Sequence, residues 1–354
     1  MKKLLVFLTV LATFSVSLFA DENKVYRLKL ASSYESTMPI LGSLSDELKK
    51  LVETMSNGRL QIRVDTPTKH KAPFAIYDMV KNGQYDLGYT ASYYYKGKDS
   101  TNMLFTTTPF GMTTDEQRAW WHFGGGKELS EKFYSKQNLK EFHILNSGMQ
   151  MGGWFRKEIN SVEDLKGLKI RIPGFGGEVM SRLGAAINTI PIGELYMSLE
   201  MGTIDAVEWV SPSFDMSLGF SKIANYYYTG WQEPASENQV VVNLDVWNKL
   251  PKDLQAILQA ALAEVSSRGQ DKVFYENAVI WDEMKEKYPN VQVKSFPPEV
   301  MAALKKATNE ILEEEAAKNP MFKEVLESQR AFLKKARAWT MISDFAYLEN
   351  TNIK

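Results

Sequence analysis

Apolar and charged positions alternate through Val25-Tyr26-Arg27-Leu28-Lys29-Leu30, the period of two that predicts a first β-strand. From Leu41 to Met55 the apolar spacing lengthens to that of a helix, with Leu44, Leu48 and Leu51 on one side. Asn57-Gly58 stops it, and Leu60-Gln61-Ile62-Arg63-Val64 returns to a period of two. Strand, helix, strand is the opening of an α/β lobe.

Further along, one pattern occurs twice. Tyr77, Val80, Gly83 and Asp86 stand at the same spacing as Tyr196, Leu199, Gly202 and Asp205. Each copy predicts a helix ending at the glycine and a strand after the aspartate, Leu87-Gly88-Tyr89 in one and Ala206-Val207-Glu208-Trp209 in the other. Ligands of open α/β sheets gather beyond the carboxyl ends of strands. The two copies therefore predict Tyr89–Tyr95 and Glu208–Ser211 as opposite walls of one cleft. Between them, Ser161 and Asp164 have capping-box spacing at a short helix, and Leu168–Ile172 reads as a strand ending at Pro173-Gly174. Lys252–Lys287 has helix composition; at ~1.5 Å per residue it reaches about 50 Å, enough to cross two lobes. Pro298–Ala338 is helical again, broken at Asn319-Pro320, and too charged to be a core.

Composition narrows the setting. Met1-Lys2-Lys3 followed by the apolar run Leu4–Phe19 and by Ala20 is expected to be a secretory signal over residues 1–20, shorter than the ~20 apolar residues of a span. The chain has no cysteine, so an exported product must be stabilised by its core. Roughly 330 residues beyond the signal suit two lobes. Without a cysteine at the cleavage point there is no lipid anchor, which favours a periplasm closed by an outer membrane. With 42 basic and 43 acidic residues, nothing marks a nucleic-acid or anionic-membrane partner.

The catalytic inventory is thin. His70, His122 and His143 share no metal-ligand spacing, and Gly124-Gly125-Gly126 lacks the Lys-Ser/Thr of a phosphate loop. Polar residues set among aromatics stand out instead: Tyr93-Tyr94-Tyr95, Gln150, Arg171 at a strand end, Glu208-Trp209 and Glu233. An arginine so placed can fork two hydrogen bonds to a carboxylate. Glu, Gln and backbone oxygens suit a hard cation, Na⁺ or Ca²⁺.

Five segments carrying these residues resemble the solute receptors of tripartite ATP-independent periplasmic (TRAP) transporters. They are Ser92–Asp99, Gln150–Lys157, Arg171-Ile172-Pro173-Gly174 with Gly176-Gly177-Glu178, Glu208-Trp209-Val210, and Tyr226–Pro234. The likeness runs over essentially the whole chain beyond the signal, and is greatest to the branch that binds 2-oxo acids or lactate. It implies a two-lobed α/β periplasmic binding fold of the Venus-flytrap type. Lobe I would comprise 21–146 with 237–251, and lobe II 147–236. A lobe-spanning helix would follow over 252–287, then a C-terminal helical region over 288–354. It also implies that Arg171 meets the substrate carboxylate, which touches a cation held by Gln150, Glu208, the Trp209 carbonyl and Glu233. Tyr94, Tyr95, Gln150 and Trp209 would line the substrate. A homodimer formed by exchange of the C-terminal helix, from Phe322 to Tyr347, and the transporter's membrane subunits are the implied partners. Gln232 departs from the usual His, and Thr68–Phe74 from the usual acidic Gly-Glu-Leu pattern.

Charge supports the cation independently. Glu208, Glu233 and a monocarboxylate bring three negative charges to one site, and Arg171 returns one positive. Burying an unpaired ion costs several kcal/mol, so Na⁺, leaving one charge, or Ca²⁺, leaving none, is expected. The rival reading is a metal-dependent lyase or hydrolase acting on the same acids. It needs a tuned general base near the ion, and none of the five segments contains histidine. A binding module that signals to a sensor protein would use the same fold and site.

Overall fold

The computed structural model describes residues 24–351, so the expected signal over 1–20 lies outside the described residues. Eleven strands form two sheets: β1 (Tyr26–Ser32), β2 (Leu60–Asp65), β3 (Leu87–Thr90), β4 (Leu139–Asn146), β5 (Gly153–Phe155), β6 (Lys169–Arg171), β7 (Ala186–Asn188), β8 (Ala206–Val207), β9 (Tyr226–Tyr228), β10 (Glu237–Asn243) and β11 (Gln292–Lys294). The first sheet runs β2-β1-β3-β10-β4 and the second β11-β9-β5-β8-β6-β7. β1 lies parallel to both β2 and β3, whereas β10 runs antiparallel between β3 and β4. Every residue of β10 is buried, as a central strand covered on both faces requires.

The period-two reading of β1 has a plain physical origin. Leu28 and Leu30 are buried while Arg27 and Lys29 stay in solvent. The following helix starts at Leu44 rather than Leu41, and its buried stripe is Leu44, Leu48 and Val52, with Leu51 half-buried at its edge. Ser161 and Asp164 do form a capping box, around the short 3₁₀ turn Val162–Leu165.

Chain crosses between the sheets twice in the middle of the sequence, over 147–152 and 229–236. The helix Lys252–Lys287 spans 36 residues, about 54 Å at 1.5 Å per residue. It packs on β4, and farther along its Asn277 Oδ1 accepts the Ser213 backbone N–H at 2.8 Å, beside the second sheet. The helices Pro298–Lys318 and Pro320–Thr340 part at Asn319, whose Oδ1 caps Met321 and Phe322. The first of these pairs with the second lobe through Arg182 and Glu314 at 2.7 Å. The second pairs with the first lobe through Arg337 and Glu116 at 2.9 Å. One strand was not foreseen. Gln292–Lys294, read as part of a helical region, adds parallel to β9 as an edge; three residues are too few to show a period. No described helix is long and apolar enough to cross a membrane.

Candidate functional site

The repeated pattern builds the two walls. In the first lobe the Asp86 carboxylate accepts the Lys29 backbone N–H at 2.7 Å, and Lys29 Nζ reaches the Gln84 carbonyl at 2.9 Å. In the second, Asp205 accepts the Lys169 N–H at 3.0 Å, and Lys169 Nζ reaches the Gly202 carbonyl at 2.7 Å. Gly83 and Gly202 both have φ near +74°, where a side chain would strain the turn. Each aspartate thus locks its strand to the parallel neighbour, β3 to β1 and β8 to β6. β8 is shorter than predicted, and Glu208 and Trp209 leave the ladder at its carboxyl end.

The second crossing of the chain brings the remaining residues in. Gln150 donates its backbone N–H to the Glu233 carbonyl at 3.0 Å, and Met151 N–H bonds the Val210 carbonyl at 2.8 Å. Gly230 makes this approach possible, since a Cβ there would lie 1.8 Å from the Gln150 carbonyl oxygen. Gln150, Arg171, Glu208 and Glu233 are each 3 % exposed or less. Arg171 Nη1 donates to the Glu208 carbonyl at 2.7 Å and lies 3.5 Å from Glu208 Oε2, with its guanidinium 4.9 Å from the Trp209 ring centroid.

Four atoms of this group hydrogen-bond to no protein group: Gln150 Oε1, Arg171 Nε, Glu208 Oε2 and Glu233 Oε2. Buried polar atoms are rarely left so, and together they present three oxygens and one N–H to a missing partner. Burial, then the Glu233 charge, raises Glu208 well above the usual carboxylate range, with Arg171 opposing. Burial likewise pushes Glu233 up to about 7, against a Ser236 hydrogen bond and Arg171. Burial is the larger cause of both shifts, so neither carboxylate is cheaply ionised here without a counter-charge. Two carboxylates and an amide oxygen are the donor set of a hard cation. No cluster of three or more His, Cys, Asp or Glu suited to a metal occurs among the described residues, so amide and carbonyl oxygens would have to complete the shell.

Arg171 and Trp209 also bound a cavity of about 220 Å³, with Pro191 and Ile192 from the same lobe and Tyr34, Phe74 and Tyr94 from the other. Apart from Arg171 and the rim residues Ser33 and Glu35, its lining is mostly apolar. A larger hollow of about 440 Å³ opens near Glu178, Arg182 and Glu314, but its charged groups already pair with one another.

Tyr95, expected in the substrate lining, faces elsewhere. Its ring stacks on Tyr77 at 4.5 Å, and its hydroxyl accepts the Tyr77 backbone N–H at 3.1 Å inside the first lobe. Ser92–Tyr95 is a 3₁₀ turn, so three consecutive tyrosines point about 120° apart and cannot share one wall. Tyr93, not Tyr95, lies beside Tyr94, at 4.7 Å between ring centroids, and it abuts Gly174 of the other lobe. Two further residues shape the site, Gln232, noted in the sequence only as a departure from the usual His, and Asp215, which escaped sequence reading. Gln232, wholly buried, donates to the Met151 carbonyl at 2.8 Å and to Glu208 Oε1 at 3.4 Å, steadying that carboxylate. Asp215 holds the turn that carries Glu208 and Trp209; its spacing from them gave no signal.

The model of the bacterial extracellular solute-binding proteins, family 7, matches residues 30–319. A monocarboxylate 2-oxoacid-binding periplasmic protein of Nostoc is 40% identical over 304 residues, 86% of this chain and 83% of its own. A TRAP periplasmic solute-binding protein of Colwellia psychrerythraea, solved with calcium and pyruvate, is 52% identical with a TM-score of 0.91, covering 92% of this chain and 100% of that one. Another from Pseudoalteromonas atlantica, solved with sodium and pyruvate, is 50% identical with a TM-score of 0.91, covering 94% and 100%.

Proposed function

This chain belongs to the bacterial extracellular solute-binding proteins of family 7, and from that premise we propose that it is the periplasmic receptor of a TRAP transporter for a small 2-oxo monocarboxylate. The observation that carries this reading is a cluster of four unpartnered buried atoms, on Gln150, Arg171, Glu208 and Glu233, of which Arg171 also lines an interlobe cavity. Arg171 Nε is the donor left for a substrate carboxylate, while Gln150, Glu208, Glu233 and the Trp209 carbonyl would hold the cation. When bound, Na⁺ or Ca²⁺ supplies the positive charge that lets a further anion enter. Glu208 and Glu233, thus committed, are poor general bases, which favours binding over turnover. The mostly apolar lining, with Phe74, Ile192 and the rings of Tyr34 and Tyr94, accepts the carbon tail and brings no second cationic side chain to meet a second carboxylate. The nine tenths or more of each polar site residue that is hidden from water fits a receptor closed over its ligand.

The test is calorimetric titration of pyruvate and lactate into purified protein, with calcium, with sodium and after chelation in sodium-free buffer. Binding that needs an ion supports the reading; absence of heat with every acid and ion would sink it.

We also infer a homodimer through the C-terminal tail, and export by the segment 1–20. Trp339, Ile342, Phe345 and Tyr347 are each about half exposed or more, an apolar surface on a helical tail that favours a second copy. Truncation after Ala338 is expected to halve the mass seen by analytical ultracentrifugation while pyruvate affinity stays within about twofold. An unchanged mass removes the tail from the interface.

A further inference from the structure

We propose that the first lobe holds a second site, apart from the interlobe cleft, for a small amino-acid zwitterion. The site is a cavity of about 170 Å³ between β4, β10 and the helices Thr114–Phe123 and Lys252–Lys287. It shares no lining residue with the interlobe cavity. Its volume is well under the ~300 Å³ at which drug-sized sites begin, so its ligand is small. Acceptors without donors line its floor. Glu237 is 1 % exposed; its Oε2 accepts the Asn146 side-chain N–H at 3.2 Å, and its Oε1 is unbonded. His143 Nδ1 lies 3.3 Å from Glu237 Oε2, and Nε2 lies 3.9 Å from Glu141 Oε1. The nearer carboxylate draws the ring proton to Nδ1, so the buried, unbonded Nε2 is a lone-pair acceptor. Stacking on Trp121, at 3.8 Å between centroids, fixes the plane of the ring. Glu141 itself is already met by Ser130 and Gln239. Two buried acceptors therefore call for a donor with more than one N–H, and beside a carboxylate the fitting donor is an ammonium.

The mouth has the opposite sign. Arg118, His122 and Lys127 line the same cavity, His122 exposed and the two cations half-buried. Neither Arg118 nor Lys127 pairs with a carboxylate among the described residues. Arg118 is held instead by Gln270 Oε1, which accepts its Nη1–H at 3.1 Å. Burial, then the charges of Arg118 and Lys127, hold His122 below its usual pKa, so the charge of the rim is that of the two cations. A simple amine would meet repulsion at this rim, and a simple carboxylate at this floor. An amino acid carries its ammonium inward and its carboxylate outward, and matches both.

Calorimetry with glycine, β-alanine and γ-aminobutyrate tests this, with propylamine and butyrate as singly charged controls. Pyruvate and CaCl₂ are present throughout, to occupy the interlobe site. At least one zwitterion is expected to bind with a Kd at least about tenfold below that of either control, since each control leaves one charged hydrogen bond unmade. Glu237→Gln keeps the shape and removes the charge. It should weaken that zwitterion at least about tenfold and leave pyruvate affinity within about twofold. Lys127→Ala, at the half-exposed rim, should weaken it about two- to fivefold, an effect lost near 1 M salt. That variant decides the matter should Glu237→Gln not fold. Absence of binding by all three zwitterions overturns the proposal. So does a control that binds as tightly as the best zwitterion, or a zwitterion affinity that neither substitution changes. None of these outcomes bears on the receptor reading, which titration with pyruvate tests by itself.

Discussion

Arg171 concentrates the chemistry of the site in one side chain. One end is committed, with Nη1 on the Glu208 carbonyl and the guanidinium over Trp209, and Nε is left unbonded. Its partners also fix its plane, so little rotamer freedom is lost when an anion arrives. Arg171→Ala should therefore weaken pyruvate binding by more than about tenfold, the worth of one charge-assisted hydrogen bond. Calorimetry that shows an unchanged Kd would remove Arg171 from the site. At this scale the residue types were legible in the sequence: Gln150, Arg171, Glu208, Trp209 and Glu233 were all marked by polarity among aromatics, and the structure brings them together. Tyr95 was misassigned because the handedness of a 3₁₀ turn, not adjacency, decides which tyrosine faces the cleft. Asp215 was not marked at all, and Gln232 was marked only as a departure from the usual His, without its contact to Glu208. Their partners, Trp154, Tyr227 and Met151, come from distant segments.

Elements show the same division. The Lys29–Asp86 and Lys169–Asp205 pairs are one device used in both lobes, and its spacing was visible as a repeat of Tyr, aliphatic, Gly and Asp. What the repeat did not show was the lysine on the neighbouring strand that each aspartate grips. β4 and β10 carry a second buried group, Glu141, His143 and Glu237. Ser130 and Gln239 both hydrogen-bond Glu141, and His143 Nδ1 lies 3.3 Å from Glu237. Burial pushes Glu141 up to about 8, against those two hydrogen bonds. A carboxyl raised in the folded state holds its proton there and loses it on unfolding. Its stabilising contribution is thus complete below pH about 4.5 and declines as pH rises toward 8. Glu141→Gln, neutral at every pH, should raise the melting temperature at pH 8 by on the order of a few °C relative to wild type and leave it near wild type at pH 4.5. A difference that does not grow with pH would show that Glu141 is not the group responsible.

For the whole molecule, the proposed receptor role makes closure the functional motion, and charged as well as aromatic contacts cross the cleft. Lys96, directly after the three tyrosines, pairs with Glu178 of the other lobe at 2.8 Å. Both are partly exposed, which limits the pair to about 1 kcal/mol and makes it sensitive to salt. Lys96→Ala should weaken pyruvate about two- to fivefold at low ionic strength, and the difference should vanish near 1 M salt, where the screening length is about 3 Å. A defect that survives high salt would mean that Lys96 acts by packing, not by charge. The long helix and the paired C-terminal helices brace this motion, since each touches both lobes on either side of the crossings.

Local chemistry in the chain determined the kinds of element, the position of most helices and the polar residues able to hold an anion and a cation, because periodicity and residue type are properties of short segments. The α/β class and the cleft between strand ends followed from those elements and from the repeat, and the two-lobed periplasmic binding fold from the resemblance of five segments to a known family. Only the tertiary structure decided which tyrosine reaches the cavity, that Gln292–Lys294 completes a sheet edge, and that Asp215 holds the turn after Glu208 and Trp209. Each of those outcomes depends on groups far apart in sequence meeting out of water, where a charge counts only with its neighbours known.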